Sequence, residues 1–197
     1  MRRRGFTLLE MMTVVAIVGI ISALAAPNLI GMVRSTRVSG ELATLVATLN
    51  AARSQAVTSG LPTVVCMRGP SYAGTTGDEV NLVEVYRKST VPAVIDNFTA
   101  GHDTTDKNID RRLMDPLTVF QFPTAPVMDP TKSLQFIFDV PGTVTLYVGD
   151  NCTPAADASR STYGIPAAGV TFTALSSADA TITRAFVLRT DGTTVTP

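Results

Sequence analysis

The chain opens on an apolar run, Phe6 to Ala26, in which 21 residues carry a single charge, Glu10. That is the length a helix needs to cross a hydrocarbon core of about 30 Å, so residues 6–26 are expected to span a membrane. Beyond Pro27 the pattern changes period instead of stopping. Leu42, Leu45, Val46, Leu49, Ala52 and Ala56 recur at three- and four-residue spacing, with Glu41, Asn50, Arg53 and Gln55 between them. One apolar stripe on a continuing helix over residues 27–60 accounts for this. Gly60, followed by Pro62, ends it. A single helix from Phe6 to Ser59 has 54 residues, a length of about 80 Å. Its first half has no globular unit to pack on, so lipid or like helices must cover it. Pro27 removes a backbone hydrogen bond inside it, which predicts a helix bend, the alternative being a plain break at the membrane surface.

From Leu61 the pattern becomes short alternating or apolar runs separated by turn residues. Thr63 to Met67, Val80 to Arg87, Leu117 to Phe122, Leu134 to Phe138, Thr143 to Val148, Val170 to Ala174 and Ala180 to Arg189 read as strands. Pro141-Gly142 suits a turn, and Asp191-Gly192 suits a tight hairpin turn before Thr194 to Thr196. The expected fold is α+β: a long N-terminal transmembrane helix packed, through its second half, on a small and mostly antiparallel β-sandwich formed by residues 61–197.

Composition sharpens this picture in two ways. With 197 residues, 45% of them hydrophobic and 16% charged, the chain suits one domain plus an anchor and is not disordered. The formal charge is zero, yet three of the sixteen basic residues are Arg2, Arg3 and Arg4, leaving thirteen against sixteen acidic ones after them. That balance gives the exported part no global attraction to nucleic acid. The same arginines hold the N-terminus on the cytoplasmic side, which places everything after Ala26 outside the cytoplasm. A secretory signal ending at Ala23-Leu24-Ala25 is the competing reading.

Gly5-Phe6-Thr7-Leu8-Leu9-Glu10, preceded by arginines and followed by an unbroken apolar stretch, resembles the class III signal of type IV prepilins and pseudopilins. The resemblance implies a basic leader at residues 1–5, cleavage between Gly5 and Phe6 by a prepilin peptidase on the cytoplasmic side, and N-methylation of Phe6. Gly5 lacks a Cβ, so a protease can approach its backbone closely. Glu10 costs about 2.5 to 3.5 kcal/mol in an apolar helix on insertion scales. Its implied role is assembly, by pairing with the Phe6 amine of a neighbouring subunit; a carboxylate snorkelling to water is the plainer alternative. Asn50-Ala51-Ala52-Arg53-Ser54-Gln55-Ala56 before a strand carrying Cys66, and the ending Phe186-Val187-Leu188-Arg189-Thr190-Asp191-Gly192, resemble the GspH/FimT group of minor pilins and pseudopilins. This resemblance covers the first 66 residues and, more loosely, the last strands.

Cys66 and Cys152 are the only cysteines, and both fall on the oxidising side of the expected topology. A disulfide between them is the natural reading, with two buried thiols as the alternative. Closing a loop of about 85 residues contributes up to about 4 to 5 kcal/mol in the chain-entropy model.

Catalytic chemistry finds little support. His102 is the one histidine, and neither a nucleophile elbow nor a phosphate-binding loop is present. Asp106, Asn108 and Asp110 match the first ligand positions of a calcium loop, but Arg111 stands where glycine and Leu117 where glutamate is required. A solvated loop is expected there, with no metal or cofactor.

The expected function is that of a structural subunit, a minor pilin or pseudopilin. Such a subunit helps start or cap a type IV pilus or a type II secretion pseudopilus. It sits as a single-pass protein in the inner membrane with its globular domain in the periplasm, and its partners are the peptidase and other pilins. The alternative is a DNA-binding minor pilin acting in DNA uptake through Arg184 and Arg189, against which the tail Thr193 to Pro197 offers no further cation. An uncleaved single-span protein is a third.

Overall fold

The computed structural model describes residues 7–68, 82–88, 107–121, 133–149 and 161–196. Helix α1 runs from Leu8 to Ser59, 52 residues without interruption. Its start is set by Thr7, which is extended and whose Oγ1 accepts from the Glu10 N–H at 3.3 Å. Thr7-Leu8-Leu9-Glu10 is thus the forward half of a capping box, and Glu10 also places a negative charge at the positive end of the helix dipole. The stop is Gly60, whose φ of 67° is open to glycine at little cost and whose N–H donates to the Ala56 carbonyl.

Ten strands follow among the described residues: β1 (Thr63–Arg68), β2 (Leu82–Arg87), β3 (Lys107–Leu113), β4 (Thr118–Gln121), β5 (Ser133–Phe138), β6 (Val144–Gly149), β7 (Ser161–Tyr163), β8 (Val170–Ser176), β9 (Asp179–Leu188) and β10 (Thr194–Val195). They form a six-stranded sheet ordered β3-β2-β1-β5-β6-β7 and a four-stranded sheet ordered β10-β9-β8-β4. The pairings within both are antiparallel. The α+β architecture and its antiparallel sheets match the expectation.

One core joins helix and sheets. Val38, Leu42, Leu45, Leu49, Ala52 and Ala56 are buried on α1, with Val46 partly so, alongside Val65, Met67, Phe136 and Phe138 of the larger sheet and Phe172, Phe186 and Leu188 of the smaller. The stripe follows the helical period because only that face meets the sheets. Phe136 and Phe172 connect the sheets with ring centroids 5.6 Å apart, and Phe172 stacks on Phe186 at 5.0 Å. Strands β1 and β5 are buried at every position. A separate apolar group joins Val64 of β1 and Ile137 of β5 to Tyr147 of β6.

Two turns are built alike and meet on the helix. Asp139 N–H donates to the Thr143 carbonyl and Gly142 N–H to Asp139, while Arg189 N–H donates to Thr193 and Gly192 N–H to Arg189. Gly142 and Gly192 have φ of 84° and 74°, as the Pro-Gly and Asp-Gly pairs foretell. Arg53 of α1 donates from Nε to the Gly142 carbonyl at 3.2 Å. Val144 N–H reaches the Thr190 carbonyl at 3.1 Å, a backbone bond from one sheet to the turn of the other.

Two elements differ from the sequence reading. Residues 107–113, expected as a solvated loop, form strand β3 paired with β2, so Asn108 and Asp110 sit in a ladder and not in an ion-binding loop. As the outermost strand, β3 has one neighbour and keeps Ile109 and Leu113 largely exposed. Polar and charged residues on such an edge hide the strand signal while guarding against edge pairing. Strand β7 is three residues long and was likewise not foreseen.

Candidate functional site

The candidate site is the exposed first half of α1. From Leu8 to Val33 the described side chains are exposed or, at Gly31, partly so. Leu8 is 79% and Leu24 76% exposed. An apolar helical surface of this extent in water is an interaction surface by composition. No single helix among the described residues is long and apolar enough to cross a membrane; the segments Leu8–Leu24 and Leu29–Ser59, meeting at 42°, qualify together by length and composition. Pro27 lies in the interval between them, inside the helix; its side chain is outside the described residues.

Glu10 is the one charge between Leu8 and Val33. It is exposed in the first turn, and the Thr13 hydroxyl donates to its backbone carbonyl at 2.9 Å. No basic side chain among the described residues forms an ion pair with its carboxylate. Gly5 and Phe6, the expected cleavage and methylation positions, lie outside the described residues, as do His102 and Asp106.

The remaining expected site residues are scattered. Cys66 is buried on β1, and no free cysteine occurs among the described residues; Cys152 lies outside them. Arg184 donates from Nε to Ser39 Oγ at 3.2 Å, from Nη2 to Ser35 Oγ at 3.1 Å and from Nη1 to the Thr183 carbonyl at 2.8 Å. Arg189 stands past the end of β9, in the turn that Arg53 faces. The two arginines are therefore not brought together. No cluster of metal-ligating side chains is found among the described residues.

The sequence reading missed the polar contacts that hold α1 on the sheets. Arg112 of β3 donates to Glu41 at 3.2 Å, Thr194 Oγ1 donates to Asn50 Oδ1 at 3.2 Å, and Arg53 bonds Gly142. Glu41, Asn50 and Arg53 all sit between stripe positions, which was the available signal, but their partners are 71, 144 and 89 residues away.

Residues 1–26 match the family described as the prokaryotic N-terminal methylation motif. The chain is similar to a type IV major alpha-pilin of Moraxella bovis, with 52% identity over 44 residues, or 21% of this chain and 28% of that protein. The chain thus spans little more than a quarter of the length of the curated relative it matches. No solved structure matches. Both similarities are confined to short stretches of the chain, and neither distinguishes a minor from a major subunit.

Proposed function

We propose that this type IV pilin-like chain is a minor pilin or pseudopilin of the GspH/FimT kind, a structural subunit without catalytic activity. Its leader of residues 1–5 is removed by prepilin peptidase between Gly5 and Phe6, and Phe6 is N-methylated. Residues 6–26 then hold it as a single-pass protein in the inner membrane, with residues 61–197 in the periplasm. It works by joining or initiating a type IV pilus or a type II secretion pseudopilus with other pilins.

The observation that carries this reading is the division of one helix into two surfaces. The buried stripe begins at Val38, whereas the large apolar residues described from Leu8 to Val33 are all exposed. Such a surface is stable in lipid or among like helices and costly in water. Pro27, between segments meeting at 42°, serves as the bend that lets the anchored and packed halves take different directions. Glu10 supplies the charge that fixes the axial position of neighbouring helices. The match of residues 1–26 to the methylation motif supports the processing step.

The test is the intact mass of the protein recovered from membranes. The expected species begins at N-methylated Phe6; an intact Met1, or a new terminus after Ala25, overturns the reading.

A further inference from the structure

Where α1 enters the globular domain it forms one wall of a groove of about 350 Å³. Leu29, Ile30, Val33 and Val38 line it from the helix and Leu117 from the segment before β4. Arg34 and Arg37 are also among its lining residues. So is Thr118, only 3% exposed, whose hydroxyl makes no hydrogen bond among the described residues.

We infer that this groove seats an anionic phospholipid of the membrane that holds α1, and this rests on the membrane reading above. Position argues for it first. Leu29 is about 32 Å along the helix from Leu8 at 1.5 Å per residue, and a hydrocarbon core is about 30 Å thick. Leu29 to Val33 therefore fall where the helix leaves the lipid tails, and Arg34 and Arg37 one turn higher, at the headgroups. The groove opens onto the same exposed apolar surface that continues down the helix.

Chemistry argues for it second. A diacyl phospholipid offers, in order along its length, a phosphate, ester carbonyls and acyl chains. The two guanidiniums suit the phosphate, and the leucine and valine walls suit an acyl chain. Among the described residues, the carboxylates facing this end are Asp115, beside Arg37, and Asp179, within electrostatic reach of Arg34. Asp115 approaches Arg37 only to 3.9 Å, and Asp179 accepts from the Thr181 hydroxyl and N–H at 2.7 and 3.0 Å. Neither carboxylate makes a close bidentate pair, so both guanidiniums keep donors for a phosphate. A basic residue near an anionic surface adds about 1 kcal/mol of attraction, about fivefold in binding.

The chain contains no tryptophan, which makes the test direct. Single-tryptophan forms of the full chain, Leu117→Trp, Val195→Trp and Val14→Trp, are placed in nanodiscs holding phosphatidylglycerol or phosphatidylcholine brominated on the acyl chain near the headgroup. Val195 is paired on β10, next to Thr194, which touches Asn50 about 18 Å further along the helix than Val38. The expected result is strong quenching of Leu117→Trp by the brominated phosphatidylglycerol and several-fold less by phosphatidylcholine. Val195→Trp should stay bright, inorganic phosphate should not compete, and Arg34→Gln with Arg37→Gln should abolish the lipid preference. Quenching of Leu117→Trp no greater than that of Val195→Trp overturns the inference, as does a preference that survives loss of both arginines. A Leu117→Trp signal that changes only when two chains share a disc assigns the groove to a second copy instead. An unquenched Val14→Trp would defeat the membrane reading itself, whereas a quenched Val14→Trp beside a bright Leu117→Trp defeats the groove alone.

Discussion

Gly192→Ala and Gly60→Ala form a pair that separates backbone strain from crowding at the turn junction. Both positions have left-handed φ, 74° and 67°. Among the described residues a Cβ at Gly60 meets nothing within 4 Å, whereas at Gly192 it would overlap the Gly142 carbonyl oxygen and lie 3.0 Å from Arg53 Cδ. Alanine in the left-handed region costs about 1–2 kcal/mol, reduced by about 0.4–1 kcal/mol because the unfolded chain is also restricted. The net expectation at Gly60 is a loss of about 1 kcal/mol. At Gly192 the neighbour is backbone, which cannot rotate away, so overpacking adds about 1–3 kcal/mol. Relief requires the turns to part, which threatens the bond from Arg53 to Gly142, a charged bond of about 1.5–3 kcal/mol. The sum at Gly192 is about 3.5–7 kcal/mol. Urea unfolding of the full chain in mild detergent, followed by tyrosine near-UV dichroism, measures both. Equal losses at the two positions would refute the claim that this junction joins helix and sheets.

Three further outcomes are expected. Thiol labelling of the purified chain should find no reactive cysteine before reduction, and reducing the Cys66–Cys152 bridge should cost about 2–5 kcal/mol; two reactive thiols in native protein would disprove the bridge. Asp191 accepts from the Thr193 hydroxyl and N–H, and these bonds hold its carboxyl below the usual range. Its contribution is present above the ordinary aspartate value of about 3.9 and is lost as pH falls through the lower folded value. Asp191→Asn should therefore flatten the stability curve below that pH, and superimposable acid curves would contradict this. Replacing Glu10 by Val should leave cleavage at Gly5 intact while reducing co-purification with partner pilins; equal recovery would leave Glu10 as a carboxylate that only snorkels to water.

Helix, turns and most strands were legible because their signals are local. The stripe Leu42, Leu45, Leu49, Ala52 and Ala56 is buried as the period requires, and Gly60 and Gly192 take the φ that marks them as stops and turns. Strand β3 was not legible, because an edge strand is selected for charge and has no buried face to pattern. Lys107-Asn108-Ile109-Asp110-Arg111-Arg112-Leu113 reads as loop until Glu84 and Glu41 are set beside it, when Arg111 meets the first at 3.5 Å and Arg112 the second at 3.2 Å. Of the site, Glu10 and Pro27 could be singled out by being wrong for an apolar helix. Arg34, Arg37 and Thr118 could not, because each is ordinary on its own element and notable only for what the fold places opposite.

The helix also explains why anchor and domain are compatible in one short chain. A helix of 52 residues satisfies its backbone in either solvent, so the boundary between lipid and protein packing can be set by side chains alone. That boundary falls between Val33, exposed, and Val38, buried. Ser35 and Ser39 lie within the same turns and receive the Arg184 guanidinium. Short hydroxyl side chains let β9 approach closely here, and a long cation closes the remaining gap. The polar contacts at Ser35 and Ser39 therefore bracket Val38, the first buried residue of the apolar stripe. A domain docked through Val33 or Met32 instead would bury apolar surface needed for the membrane. The polar collar at Ser35, Ser39 and Arg184 thus keeps the two apolar surfaces of one helix from competing for the same sheet.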